Sequence, residues 1–273
     1  MTGILSTFLT HDRGRPLTFG IIADRRRERF DPRTMDLRDL ALLAGQNADA
    51  CAYGKVVVIS RQGIFTFQAT PDGGTAPVFC GNSTAAAIGC LGSGMQRASV
   101  YGVADTPYEI TARIDGCAIN QTWIVPAASP QESTWRGCRV VFLPALNDYA
   151  LVCGDLPAGI DPEAARCELL GADPACKLAI ISGVGPDAIV EFHNSNGRHG
   201  GAPQTGLATI ALAMRTVPWL ENYFTDGFVT YPSQAGRRRA RLPVTLPAAA
   251  GTISVEMPTV AVELVPLAME RVA

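Results

Sequence analysis

The sequence predicts an α+β fold of two similar β-rich halves, each a curved sheet or barrel wrapped around one central helix. Three observations predict it. Stretches that alternate like strands heavily outnumber helical patterns, and Pro/Gly turn signals separate them. Two narrow apolar helices recur about half a chain apart, in APVFCGNSTAAAIGCLGSGM and HGGAPQTGLATIALAMRTVP. Each follows several strands and runs from a Gly/Pro-rich turn, through a small polar tripeptide, into the helix: an internal repeat of pattern more than of identity. With 47% hydrophobic and 18% charged residues among 273, a sizeable buried core is expected and disorder is not.

Taken in order, Leu17–Ile22 opens the strand series. Met35–Ala44 reads as a helix, with Leu37, Leu40, Leu43 and Ala44 on one face and acidic residues early, where the helix dipole favours them. Val56–Ser60 and Ile64–Ala69 are strands, and Ser83–Leu91 is a helix apolar all round, suited to burial. Ile110–Ile114 and Ala118–Val125 are strands, and Pro126–Pro130 (PAASP) marks the join between halves. Beyond it Arg139–Leu143, Tyr149–Cys153, Leu178–Ser182 and Ala188–Phe192 alternate as strands. A helix over Pro162–Leu170 starts after Asp161, a good N-cap, and another over Gly206–Thr216 stops at Pro218. Phe228–Tyr231 and Gly251–Glu256 are the last strands. The expected domains are residues 1–127, with the Cys80 helix, and 128–250, with the Gly206 helix; the strand in 251–273 returns to the first half.

Charge and composition exclude several function classes. A net charge of −2 gives no general attraction for nucleic acid or acidic membranes. The clusters Arg25-Arg26-Arg27 and Arg237-Arg238-Arg239 read as solvated strand ends or loops rather than polyanion sites. No window approaches the ~20 apolar residues of a membrane span, and MTGILSTFLTHDRGR lacks the basic start and cleavage site of a signal peptide. The cysteines at 51, 80, 90, 117, 138, 153, 167 and 176 show neither CxxC pairs nor finger spacing. They read as mostly buried, reduced thiols of a cytoplasmic protein, with no metal and no cofactor implied.

The chemistry centres on helix N-termini, which present unpaired N–H groups and the positive end of the dipole. Two such ends facing each other across a cleft suit a small anion such as a carboxylate. A cysteine placed there has its thiolate stabilised, moving its pKa down from ~8.5 toward neutrality. It can then exchange a proton with a carbon acid. Cys80 stands in that place; the alternative is a buried small hydrophobe. The second helix opens with Pro203-Gln204-Thr205, then Gly206, and offers no matching thiol, so a symmetrical two-thiol exchange is not supported. The other base lies elsewhere. Lys55, opening KVVVIS, is one of two lysines against 21 arginines. His199, in NSNGRHGGAPQTG, titrates near working pH. His193 could serve in catalysis or in shaping the turn, and His11 reads as structural or exposed.

CGN before one small-residue helix and TG before another resemble the diaminopimelate-epimerase-like superfamily, and within it the 2-methylaconitate isomerase type. That type includes oxalomesaconate tautomerases and methylitaconate isomerases. The resembling pieces stand in order: RDLALLAGQNADA, YGKVVVIS, FTFQA, CGNSTAAAIG, HGGAPQTGLATIA and VTLPAAAGTISVEM. The resemblance implies two pseudo-equivalent halves with the active site in the cleft between them. It implies Lys55 and Cys80 as proton-transfer groups, and maps His199, Thr205 and Gly206 onto the family's H-x5-T-G element. Gly81, Asn82, Ser83 and Gln204 complete the helix ends that would hold carboxylate or enolate oxygens. The family's RGGTSKG-like turn is here RGRPLTFG, which keeps Arg13, Gly14 and Thr18, with Arg15 adding a charge; Thr18 is the substrate-binding candidate.

The expected activity is therefore cofactor-independent proton transfer on a small unsaturated carboxylic acid: an allylic shift, a cis–trans isomerisation or a keto–enol tautomerisation. An amino-acid racemase or epimerase and a catalytically silent carboxylate binder are the alternatives. The expected partner is a small-molecule carboxylate, with no nucleic acid and no membrane, and homodimerisation is left open.

Overall fold

The computed structural model describes residues 3–10, 16–23, 55–59, 63–69, 75–101, 108–126, 129–144, 147–173, 176–194, 197–198, 203–224, 228–233, 236–241, 244–245, 252–257 and 260–266. The helix expected over Met35–Ala44, together with His11, Arg13–Arg15, Cys51 and His199, lies outside these residues. The chain forms two compact units: Met1–His11, Arg15–Gln121 and Thr259–Ala273 in the first, Asp12–Gly14 and Thr122–Pro258 in the second.

In the first unit β1 (Gly3–Thr10) and β2 (Pro16–Ala23) form an antiparallel pair, and β3 (Lys55–Ile59) joins β2 in parallel. Next, β4 (Ile64–Ala69) pairs antiparallel with β3, and β5 (Thr75–Pro77) adds to β4. The chain then enters helix α1 (Gly81–Gly89). Strands β6 (Gly94–Tyr101) and β7 (Tyr108–Asp115) continue the sheet from β4. On its other side, β19 (Val260–Pro266) pairs with β1 and with the start of β8 (Ala118–Pro126), which also pairs with β7. Helix α1 packs against β1, β2, β3, β4, β6 and β19. Its alanines and Ile88 are buried, as an all-apolar small-residue helix demands. Phe67 and Phe79 are buried as well, Phe79 edge-on to Tyr108 at 5.3 Å.

The second unit repeats the plan. β10 (Cys138–Pro144) and β11 (Asp148–Cys153) are antiparallel, helix α2 (Pro162–Leu170) crosses over, and β12 (Lys177–Ser182) joins β11 in parallel. Next, β13 (Ile189–Asn194) pairs antiparallel with β12, and short β14 (Gly197–Arg198) precedes helix α3 (Gln204–Thr216). Edge strand β9 (Gln131–Trp135) closes the other side through a two-residue turn, Arg136–Gly137, in which both residues have positive φ. Arg136 is held in that uncommon conformation by a bidentate pair with Glu168, both contacts at 3.0 Å. Hairpin β15 (Phe228–Ser233) and β16 (Gly236–Arg241) follows, and β17 (Val244–Thr245) and β18 (Thr252–Glu256) lie beside the second half of β8.

The internal repeat is thus one of topology: antiparallel pair, parallel crossover, antiparallel return, short strand, buried helix. This matches the fold expected from the sequence. Helix α2 begins and ends where predicted, with the Asp161 side chain accepting from Ala164 N at 2.8 Å. Among the described helices none is long and apolar enough to cross a membrane.

Candidate active site

Of the three described helices, α2 alone has the N-terminus of an ordinary surface helix: a side-chain cap and an acidic residue, Glu163, in its first turn. The two central helices lack both. The N-cap positions of α1 and α3 are Cys80 and Pro203; neither side chain caps its helix, and neither first turn carries an acid. Yet these are the buried turns: Gly81, Asn82, Ser83, Gln204, Thr205 and Gly206 are all buried. First-turn N–H groups have no acceptor within their own helix. Leaving them uncapped in a buried setting is costly unless something else accepts from them.

The side chains there are also underemployed. Asn82 is 7% exposed, and its Oδ1 has no hydrogen-bond partner among the described residues. Gln204 is 2% exposed, and neither its Nε2 nor its Oε1 has one. A buried polar atom without a partner costs about 1–3 kcal/mol, so two such amides at equivalent helix ends require an explanation. An oxygen-bearing ligand at each turn would supply one.

In the first unit β4 places the helix end. Thr66 Oγ1 and Ser83 Oγ lie 2.9 Å apart, and Val78 N donates to Thr66 O at 2.9 Å, fixing Phe79 and Cys80 beside the strand. The Cys80 carbonyl accepts from Thr84 N, Ser83 Oγ and Thr84 Oγ1, each at 2.9 Å. The backbone of Cys80 is therefore pinned by the helix while its thiol remains outside the helical ladder, half-buried. Lys55 is the first residue of β3, opposite Gln68. Thr18 lies in β2 opposite Phe8.

In the second unit the arrangement recurs with different residues. Thr66 is opposite the third residue of β3; Phe192 is opposite Ala179, the third residue of β12. Ser83 is third in α1, and Gly206 is third in α3. Where Ser83 meets Thr66 through hydroxyls, Gly206 meets the Phe192 ring: a Cβ built there would lie 2.7 Å from Phe192 Cδ1 and 2.9 Å from Pro203 Cγ. The glycine of the TG pair is thus a close-approach residue. Cys80 corresponds to Pro203, which carries no thiol.

The structure thus gathers Cys80, Gly81, Asn82 and Ser83 in one turn and Gln204, Thr205 and Gly206 in another. Sequence reasoning missed two residues that support these turns, Thr66 and Tyr149. Tyr149 OH lies 3.2 Å from Thr205 Oγ1. His193 falls elsewhere, buried on β13 with Nε2 3.7 Å from Glu191 Oε2.

Helix α1 carries a cysteine at each end, and the two ends differ electrostatically. Cys90 is the C-cap, at the negative end of the dipole, where its thiol donates to Ala86 O at 3.4 Å. Burial pushes Cys90 up to about 12. At pH 8 its thiolate fraction is then on the order of 10⁻⁴. Cys80, at the positive end, is half-buried like Cys90, so accessibility does not separate them. Iodoacetamide at pH 8 is expected to label Cys80 well before Cys90, as read by peptide mass spectrometry. Equal rates would contradict the dipole argument.

Neither a family model nor a curated protein matches this sequence. Solved structures do match in fold. A phenazine biosynthesis protein of the PhzF family from Bacillus anthracis superposes with a TM-score of 0.56 at 12% identity, over 97% of this chain and 98% of that one. A predicted epimerase from Pseudomonas aeruginosa gives 0.53 at 12% identity, covering 97% and 99%. A hydroxyproline epimerase from Agrobacterium vitis, solved with trans-4-hydroxy-L-proline bound, gives 0.50 at 12% identity, covering 99% and 92%. The chain has the diaminopimelate-epimerase-like fold of these proteins.

Proposed function

We propose that this protein is a cofactor-independent isomerase of the 2-methylaconitate isomerase and oxalomesaconate tautomerase type, acting on a small unsaturated carboxylic acid. The observation that carries this reading is the pair of buried, uncapped helix N-termini with unpartnered Asn82 and Gln204, one of them headed by a thiol. In this reading one of Cys80 and Lys55 removes a proton from the carbon next to a carboxylate. The electrons move into an enolate or dienolate, and the other group returns a proton at the allylic position or on oxygen. No net charge, electron or group is gained or lost. The N–H groups at Gly81–Ser83 and Gln204–Gly206 hold the carboxylate and the developing enolate oxygens, where fixed donors stabilise charge most. Thr18 and His199 complete substrate binding.

A second reading is an amino-acid epimerase, favoured by the epimerases among the fold neighbours. Pro203 at the place equivalent to Cys80 weighs against it, because a second thiol on the opposite face is absent there.

Proton NMR in D₂O with a panel of unsaturated di- and tricarboxylates and amino acids tests both readings. The isomerase reading expects deuterium at an allylic carbon of an unsaturated acid. Exchange only at an amino-acid α-carbon would establish the epimerase, and exchange with no compound would leave a silent binder.

A further inference from the structure

The sequence singles out Lys55 as one of two lysines; the structure gives the other the matching place. Lys177 is the first residue of β12, as Lys55 is of β3. Both strands pair in parallel with the strand before them and antiparallel with the strand after, and both lead through a short strand into an uncapped helix. Leu178 and Ile180 pack with Ala165 of α2, as do Ala150 and Val152 of β11. Strand alternation therefore turns Lys177 and Tyr149 to the opposite face, where Tyr149 meets Thr205 of α3. Lys177 and Tyr149 are register partners, with Lys177 Nζ 5.9 Å from the centre of the Tyr149 ring.

We propose that Lys177 and Tyr149 are the specificity-determining wall of the α3 site and select an occupant carrying a carboxylate there. This rests on the reading that the first turn of α3 receives substrate oxygens. Gln204, fully buried with both amide atoms unpartnered, lies in that same turn and supplies a donor and an acceptor to the occupant. Tyr149 orients Thr205 by the hydroxyl contact, and its ring holds the lysine ammonium near the turn. The half-buried ammonium favours an anion over a neutral amide or ester in this site, and it does so without taking part in proton transfer.

The test is calorimetric binding of maleate, with its half-amide maleamate as the singly charged comparison, to the full chain. Wild type is expected to prefer maleate, with an affinity that weakens as NaCl rises. Lys177→Met should weaken maleate by 10-fold or more, flatten the salt dependence and leave maleamate nearly unchanged. Lys177→Arg should restore most of the preference, which a purely structural loss would not. Tyr149→Phe, which keeps the ring, should cost about 3- to 10-fold while Lys177 still imposes salt dependence. Maleate binding by Lys177→Met equal to wild type, or no maleate binding by wild type, would overturn the proposal. Proton exchange reports separately: a wild-type protein that fails the D₂O assay yet binds maleate in a Lys177-dependent way would sink only the isomerase reading.

Discussion

Replacing Cys80 with alanine is expected to lower deuterium exchange into substrate by about 10²–10⁴-fold, the ordinary contribution of a general acid or base. Folding should scarcely respond. The bonds that pin this position run to the Cys80 carbonyl, from Ser83 and Thr84, and alanine keeps that carbonyl. The thiol makes no cap to the helix, so no cap is lost. Serine is the sharper substitution. It is a preferred N-cap residue, and its hydroxyl can accept from the first-turn N–H groups that cysteine leaves open. Cys80→Ser should therefore stabilise the protein by about 0.5–1 kcal/mol while losing activity to a similar extent as alanine. Its hydroxyl is a far poorer proton-transfer group, and it competes with the substrate for the same donors. Gain in stability with loss of turnover is the signature of a helix end reserved for a ligand. Urea unfolding and the D₂O assay on the same preparations check it. A serine variant that is both less stable and fully active would remove Cys80 from the site.

Much of this arrangement was legible because its signals are local. The CGN and TG turns, the all-apolar helices and the Asp161 cap each fit in a window shorter than a dozen residues. Helix α2 and strand β4 were read with the bounds the structure gives them. Other strands were not legible, for identifiable reasons. Strand β9 reads QESTW and is exposed along nearly all its length; it is a strand because it can pair with β10, not because it has an apolar face. Strand β16, GRRRAR, takes up the second arginine cluster, read from the sequence as solvated strand ends or loops, as a paired strand with Arg237 exposed. In β1 the apolar residues fall at 4, 5, 8 and 9, a spacing closer to a helix than to alternation. Pairing with β2 and β19 overrides it.

The site divides along the same line. Residues in the helix turns were found; residues that support them from the sheet were not. Tyr149 and Thr205 are 56 positions apart, and Thr66 and Ser83 are 17 apart. No local pattern encodes such contacts; they follow from strand register. Lys177 alone left a trace, since KLAIIS opens on lysine as KVVVIS does. The repeat of topology gives that trace its meaning.

Raising the pH above 9 is expected to destabilise the protein steeply through two thiols that the fold keeps protonated. Cys90 and Cys153 are each raised from the ordinary 9.0 to about 12. Burial is the main cause for both; at Cys153 the charge of Arg139 opposes it and Cys138 adds to it. The sign follows from linkage. Below pH 9 both folded and unfolded chains hold these protons, and the two thiols contribute no pH dependence. Between 9 and 12 the unfolded chain has released them and the folded chain has not, so stability falls as pH rises. At about 1.4 kcal/mol per pH unit, each thiol costs about 3 kcal/mol by pH 11. Against a typical total of about 5–15 kcal/mol, two such terms are enough to move the unfolding midpoint far down or unfold the chain. Urea titrations at pH 8 and 11 measure the loss. Cys153→Ala lowers stability at pH 8 by opening space in the core and Cys90→Ala by removing contacts at the end of α1, but each should make the fall between pH 8 and 11 shallower, and the double variant shallower still. A double variant with the wild-type slope would show that these thiols ionise in the folded chain as readily as in the unfolded one. Cys90 would then no longer be the unreactive end of α1 that the labelling experiment expects.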